Sequence, residues 1–353
     1  MGEIKLTIGI PTWNRSSEIR EAIDSILDQL NDTFRPQVEI LISDNASTDT
    51  TQTVVRDYAD RYPKLFSIHR NPVNIGFSRN VDALFRHARG EFVLVLSDDD
   101  ALEPDALCEI FVTLERHPDV HAMFLSCSAY DGALLPMGAL SEWRKADADK
   151  TPGASCVYYA SGIDYFHARG TLCNTCISGN MFRTSVWLRT DMSAGLVSGS
   201  VQLHAGIQIL SQGSICVIDK PLVKYRDGGG SPDVYLATRG DGANTGWPFV
   251  YFFDMVSACK GGRDLYPRNV YRSFYLTCVR GVFYMLLEVK ARNGFINRAW
   301  FNARLTECFD AQCYGWFIRV FRVLVSLPSF LFIVPNWMYR FGRKLYYASR
   351  SIF

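Results

Sequence analysis

The chain has 353 residues, 48% of them hydrophobic and 21% charged, enough to bury one large core or two smaller ones and too mixed for a fibrous, repetitive or disordered protein. A formal net charge of +1 excludes a nucleic-acid partner bound by general basicity, although Arg319, Arg322, Arg340, Arg343, Lys344 and Arg350 follow the last acidic residue, Asp310. Met1-Gly-Glu-Ile-Lys runs straight into a strand-like segment with no signal peptide before Leu6, so the N-terminus is expected in the cytoplasm and the ten scattered cysteines are expected as reduced thiols. Cys173-Asn-Thr-Cys176 is a single CxxC with no second pair at zinc spacing.

In chain order, Leu6 to Ile10 reads as a strand and Ser17 to Leu30 as a helix with Ile19, Ile23, Ile26, Leu27 and Leu30 on one face. Val38 to Ser43 is a second strand, and Asp49 can cap a helix running to about Tyr62. Phe66 to Arg70 follows as a third strand, then a helix through Val81 to Ala88 stopped by Gly90. Phe92 to Leu96 is the fourth strand, a helix lies around Leu107 to Leu114, and Val120 to Ser126 is the fifth strand. Strict β/α alternation predicts an α/β fold, a largely parallel sheet with helices on both faces. The loops after its strands should then collect at one edge.

Those loops hold the unusual residues. They are Pro11-Thr-Trp-Asn-Arg15, Ser43-Asp-Asn-Ala-Ser-Thr-Asp49, Asn71-Pro-Val-Asn-Ile-Gly-Phe-Ser-Arg-Asn80 and Ser97-Asp-Asp-Asp100. Three crowded carboxylates, Asp98, Asp99 and Asp100, are costly unless a cation sits among them, and oxygen ligands suit Mg2+ or Mn2+. The simpler alternative is that they cap the helix beginning near Pro104. Asp44 can accept hydrogen bonds from a base or ribose; Gly76 permits close backbone approach at a helix N-terminus, with Arg79 as a cationic fork for phosphate.

Together, Ile8-Gly-Ile-Pro-Thr-Trp-Asn-Arg15, Ile40 to Asp49, Asn74 to Asn80 and Leu96 to Asp100 resemble the family 2 glycosyltransferases over residues 4 to 130, and within them the abequosyltransferase-like enzymes of bacterial surface polysaccharide and O-antigen assembly. The resemblance implies a GT-A nucleotide-sugar domain in which Pro11, Thr12, Asn14, Arg15 and Asp44 line the nucleoside site. It places Asn74, Gly76 and Arg79 near the ribose or diphosphate, Asp98 and Asp100 as the DxD metal element, and Asp99 beside the donor. It also implies transfer with inversion from a nucleotide-diphosphate sugar to a saccharide acceptor, commonly carried on a polyprenyl lipid.

One departure concerns the base that deprotonates the acceptor. Many members carry a Glu-Asp pair at a helix start where this chain has Ser198-Gly-Ser-Val-Gln-Leu-His-Ala205, with no carboxylate. His204 can replace it, and Asp191 is the second candidate. Pro221 to Arg226 is strand-like and leads into Asp227-Gly-Gly-Gly-Ser231; Arg226 could close over the donor diphosphate, or the glycines could be a linker.

Residues 1–130 are thus expected to be the nucleotide-sugar half, 131–246 the acceptor half with a flexible loop, and 247–353 a helical C-terminal region. In the last of these, Val323 to Tyr339 are 17 uncharged residues broken by Pro328 and Pro335, with basic flanks and Trp316, Trp337, Tyr339, Tyr346 and Tyr347. This pattern fits attachment to the cytoplasmic membrane surface; a span or re-entrant segment, or a helical core or homo-oligomer contact, are the alternatives. Two other functions fit part of the pattern. A nucleotidyltransferase making sugar nucleotides shares the sheet and the carboxylates but usually begins with a glycine-rich phosphate loop. A non-catalytic nucleotide-binding scaffold would account for the missing Glu-Asp pair.

Overall fold

The computed structural model describes residues 3–131, 134, 136–139, 156–171, 176–197, 199–226, 253, 256–258, 260–276, 278–279, 298–308 and 311–326. The chain divides into two units, 1–241 with 261–274, and 242–260 with 275–353. Cys173 and the glycine-rich stretch after Arg226 lie outside the described residues, as does the C-terminal segment beyond Ser326 with its prolines and tryptophan.

The first unit is built on a ten-stranded sheet. Its strands are β1 Leu6–Thr12, β2 Val38–Asp44, β3 Phe66–Arg70, β4 Phe92–Val95, β5 Ala101–Leu102, β6 Ala122–Tyr130, β7 Pro136–Ala139, β8 Cys156–Tyr159, β9 Asn180–Arg183 and β10 Ile215–Arg226. The order is β3-β2-β1-β4-β9-β6-β10-β5, with β7 on β6 and β8 on β10. β3, β2, β1, β4, β6 and β10 all run the same way, and the shorter strands β5, β7, β8 and β9 run against them. The helices are α1 Glu18–Leu27, α2 Thr51–Arg61, α3 Phe77–His87, α4 Ala106–Arg116, α5 Gly162–Arg169, α6 Thr184–Arg189, α7 Ser193–Leu196 and α8 Val201–Leu210.

Helices cover both faces, as the alternation requires. Ile8, Ile10, Ile40, Ile42 and Leu94 pack with Ile19, Ile23 and Ile26 of α1, Val54 and Val55 of α2 and Leu107 and Ile110 of α4. Leu41, Val93 and Val95, pointing the other way, pack with Val81, Leu84 and Phe85 of α3, Trp187 of α6 and Ala205 and Ile209 of α8. Trp187 and Phe85 stack at 3.7 Å, and the Trp187 indole N–H donates to Asp82 at 2.9 Å, so this second layer is held by aromatic contact as well as burial.

The structure departs from the sequence reading in four places. β5, β7, β8 and β9 are extra strands; each is two to four residues long, too short to show a period. The helix at Val81 begins four residues earlier, at Phe77, because Gly76 turns the chain with φ 85°. The fifth strand, expected from Val120 to Ser126, is Ala122–Tyr130, and β10 pairs along its length. The aspartate triplet caps no helix, since β5 and the Asp105 N-cap stand between it and α4.

In the second unit, α9 Arg298–Cys308 and α10 Ala311–Ser326 are in contact, with Arg322 donating to Thr306 at 2.8 Å. Ile318, Phe321 and Val325 are buried on α10, while Arg319, Val320, Arg322 and Val323 are exposed. Among the described residues no helix is long and apolar enough to cross a membrane.

Candidate functional site

The C-terminal ends of the parallel strands bring the polar loops together. Strand register places Thr12, Asp44 and Arg70 in one row across β1, β2 and β3, with Pro11 beside Ser43 one step back. Asp44 is buried; its carboxylate accepts from the Ser47 N–H at 2.9 Å and from Gln52 at 3.2 Å and pairs with Arg70 at 3.6 Å. Asn14, with φ 54°, accepts from the Thr48 N–H at 2.8 Å, while its own N–H donates to Ser47 at 2.9 Å. The Arg15 N–H donates to Thr51 at 2.9 Å. Thus the first two loops are locked to each other by hydrogen bonds across 33 to 36 residues of sequence.

The third loop is fixed by amides. Asn45 donates to Asn74 at 2.8 Å and accepts from Asn71 at 3.1 Å and the Ile75 N–H at 3.0 Å. Asn80 and Ser43 exchange two hydrogen bonds, at 2.7 and 2.9 Å. Asn74 in turn accepts from the Gly76 N–H at 2.9 Å, so Gly76 and the exposed Arg79 stand at the start of α3 on a braced loop. These bonds satisfy buried polar groups and hold the strand-end surface in shape before any ligand arrives.

The aspartate turn crosses from β4 to β5, and β5 pairs with Val223 and Lys224 of β10. All three aspartates are buried. Asp99 accepts from the Ser97 hydroxyl at 2.6 Å and faces Arg15 at 3.8 Å. Asp100 accepts a short hydrogen bond from the Ser178 hydroxyl and another from the Arg226 N–H at 2.9 Å. Burial and the adjacent Asp99 charge push both Asp98 and Asp100 well above the usual carboxylate range. Thr12, Arg15 and the Trp13 backbone pull Asp98 the other way, as do Ser178 and Arg226 at Asp100. A divalent cation removes the penalty, because it supplies the opposite charge that burial denies.

Asp98 and Asp100 therefore fit a hard cation by donor type and charge. Among the described residues, the three aspartates are not a trio whose ligand atoms all lie within 4.8 Å of one another.

Three residues absent from the sequence reading support this turn. Ser178 both bonds Asp100 and accepts from the Ser97 N–H at 2.9 Å; Gly179, at φ 85° with no room for a side chain against the Leu125 carbonyl, sets it there. Glu21 pairs with Arg226. Arg226 is itself buried, at the end of β10, with its Nε donating to the Asp99 carbonyl at 2.8 Å. The structure thus places Arg226 as a strut between Glu21 and the aspartate turn.

His204 and Asp191 meet each other elsewhere. His204 is buried on α8 with Nε2 3.1 Å from the Asp191 carbonyl and its ring packed on Gly195, and burial lowers its pKa. Asp191 is exposed; the Ser193 N–H bonds its carboxylate and lowers its pKa. It lines a recess of about 290 Å3 shared with Asp82, Arg86, Trp187 and Thr190. Among the described residues neither His204 nor Asp191 makes a hydrogen bond or ion pair to the aspartate turn.

Residues 7–145 match the model of glycosyl transferase family 2. Abequosyltransferase RfbV of Salmonella typhimurium is 36% identical over 112 residues, 32% of this chain and 33% of that protein. The chain thus spans about a third of the length of the curated relatives it matches. The crystal structure of S. aureus TarS 1–349 in complex with UDP superposes with a TM-score of 0.60 at 16% identity, covering 92% of this chain and 90% of that one. The mannosyltransferase PcManGT from Pyrobaculum calidifontis, in complex with GDP-Man and Mn2+, superposes with a TM-score of 0.50 at 17% identity, covering 92% and 87%. The chain thus shares the GT-A fold of these glycosyltransferase structures, and the family match runs from β1 to β7.

Proposed function

We propose that this protein is a metal-dependent inverting glycosyltransferase that moves a sugar from a nucleotide-diphosphate donor to a saccharide acceptor, polyprenyl-linked, in bacterial surface polysaccharide assembly. The observation that carries this reading is the buried aspartate turn, where Asp98 and Asp100 are carboxylates whose charged form burial disfavours, at the same sheet edge as the polar loops after β1 and β2. The braced row of Thr12, Asn14 and Asp44 forms the nucleoside side, and Gly76 with Arg79 at the α3 N-terminus receives phosphate. Asp98 and Asp100 hold Mg2+ or Mn2+, which when bound stabilises the negative charge gathering on the leaving diphosphate. Arg226 keeps the turn in shape from below, and Arg15 faces Asp99.

In this reading Asp191 deprotonates the acceptor hydroxyl, because its ionised, exposed carboxylate lines a recess, and His204 positions it through the Asp191 carbonyl. Asp191→Asn is expected to lower kcat about a hundred- to ten-thousand-fold with little change in donor KM. His204→Gln, which keeps a hydrogen-bond donor, should retain most of the activity. A large kcat loss in His204→Gln with little loss in Asp191→Asn, which keeps the main-chain carbonyl that His204 meets, would assign the reacting group to His204 instead.

The cation also links to pH. Asp98 and Asp100 have folded-state pKa values raised above the unfolded ones, so the metal-free protein keeps their full contribution below the ordinary carboxylate range and loses it as pH rises to about 8. A divalent ion competes with those protons. The rise in Tm on adding Mn2+ is therefore expected to be larger at about pH 8 than at about pH 5.5, measured by scanning calorimetry; an equal rise at both would mean that other groups bind the ion.

The exposed strip Arg319, Val320, Arg322 and Val323 on α10 supports attachment at the cytoplasmic membrane surface, where basic side chains meet anionic headgroups and the valines enter the interface. Each arginine contributes about 1 kcal/mol there. Arg319→Glu with Arg322→Glu is expected to weaken flotation with anionic vesicles by tenfold or more at about physiological salt. Unchanged flotation would place the contact elsewhere.

A further inference from the structure

Among the described residues, one trio of histidine, cysteine or carboxylate side chains has ligand atoms that all converge within 4.8 Å: His117, Cys156 and Cys216. It belongs to neither the aspartate turn nor the nucleoside loops. The three residues come from three elements. His117 is the C-cap of α4, Cys156 opens β8, and Cys216 lies near the start of β10. β8 and β10 are antiparallel, with Cys156 opposite Ile218 and Cys216 opposite Tyr158, so the two thiols are diagonal neighbours on the face that α4 covers. The His117 ring stacks on Tyr158 at 4.9 Å and 9°, which fixes its plane beside them.

The chemistry of this set differs from that of the aspartate turn. Two thiols and an imidazole are soft and borderline ligands, suited to Zn2+ with Zn–S near 2.3 Å and Zn–N near 2.0 Å. Tetrahedral sites at those lengths hold ligand atoms somewhat under 4 Å apart, so a span of at most 4.8 Å needs only a small contraction. A second observation lies on the same strand. Asp219 gives one carboxylate oxygen to Arg169 at 2.8 Å, while the other is buried with no hydrogen-bond partner, and its charge reaches Cys156.

We propose that His117, Cys156 and Cys216 form a structural zinc site that clips the edge strand β8 to β10 and to the end of α4. On binding, both thiols lose their protons to solvent and coordinate as thiolates, and His117 coordinates as the neutral imidazole. Among the described residues β8 pairs with β10 alone, so a metal clip acts where the sheet has little other support. The inference is independent of the proposed glycosyl transfer.

The test uses the full chain, purified under reducing conditions, stripped with EDTA and titrated with Co2+. Cobalt bound to thiolates gives an intense charge-transfer absorption that cobalt on the aspartate turn does not. We expect one equivalent to develop this band, Zn2+ to displace it, and Zn2+ to raise Tm. Cys156→Ser and His117→Ala, both at partly exposed positions, should each lose or strongly weaken the band, whereas Cys108→Ser, an exposed thiol on α4, should leave it unchanged. Absence of the band in the folded wild-type chain, its survival in both site variants, or a Cys156–Cys216 disulfide found in the reduced preparation would overturn the proposal.

Discussion

Asp100→Ala is expected to lower sugar transfer by at least about a hundred- to a thousand-fold, the range for removing one preorganised group that stabilises developing charge. Asp100 sits where β10 meets the aspartate turn, and its carboxylate is braced by Ser178 and the Arg226 N–H. Both bonds aim the carboxylate and leave lone pairs for a cation. The variant should stay folded, because a buried carboxylate whose charged form is disfavoured is replaced by a neutral methyl. Steady-state kinetics with Mn2+ should therefore show lost turnover in a protein that is folded without metal but whose Tm no longer rises on adding Mn2+. Ser178→Ala makes a graded companion: the cation seat remains but loses one brace, and the loss should be about tenfold to a hundredfold. Full activity in Asp100→Ala would remove the turn from the mechanism.

The second large effect falls on stability, at the opposite edge of the sheet. Glu39 is fully buried in β2, yet its carboxylate is held below the usual range, with four hydrogen bonds outweighing the cost of burial. Thr7 donates at 2.6 Å and the Arg89 N–H at 2.8 Å to one oxygen, Ser67 at 2.7 Å and the Arg89 guanidinium at 2.7 Å to the other. These bonds tie β1, β2, β3 and the turn before β4 at one point. Glu39→Ala leaves the Thr7 and Ser67 hydroxyls and the Arg89 N–H without their acceptor. The expected loss is about 3 to 5 kcal/mol, roughly 10 °C or more in Tm for a unit of this size. Because the folded pKa is depressed, the contribution is present above the ordinary carboxylate range and is lost as pH falls through the lower folded value. Urea unfolding at neutral pH measures it; a loss under about 1 kcal/mol would show that water replaces the carboxylate.

The parallel part of the fold was legible because β1, β2 and β4 are buried on both faces and so appear as short, mainly apolar runs between amphipathic helices. β9 was not legible. It is a reversed four-residue strand between β4 and β6, and its first residue, Asn180, is polar yet fully buried. In the site, Asp98 to Asp100, Asp44 and the Asn74 to Arg79 loop stood out because each carries a dense polar run directly after a strand. Ser178 and Glu21 did not, since their roles arise from contacts across 78 and 205 residues of sequence. Arg226 was visible as a basic residue before glycines, but only the pairing of β5 with β10 shows that its guanidinium meets Asp99 and Glu21.

The central claim is that the aspartate turn holds a divalent ion together with a nucleoside diphosphate. Isothermal titration of the full chain with UDP, GDP, CDP and dTDP, each with Mn2+ and with EDTA, tests it most directly. The account predicts that one of these nucleotides binds with Mn2+, that EDTA abolishes most of the binding, and that Asp98→Ala or Asp100→Ala does the same. Nucleotide binding of equal strength in EDTA and in both variants would contradict it.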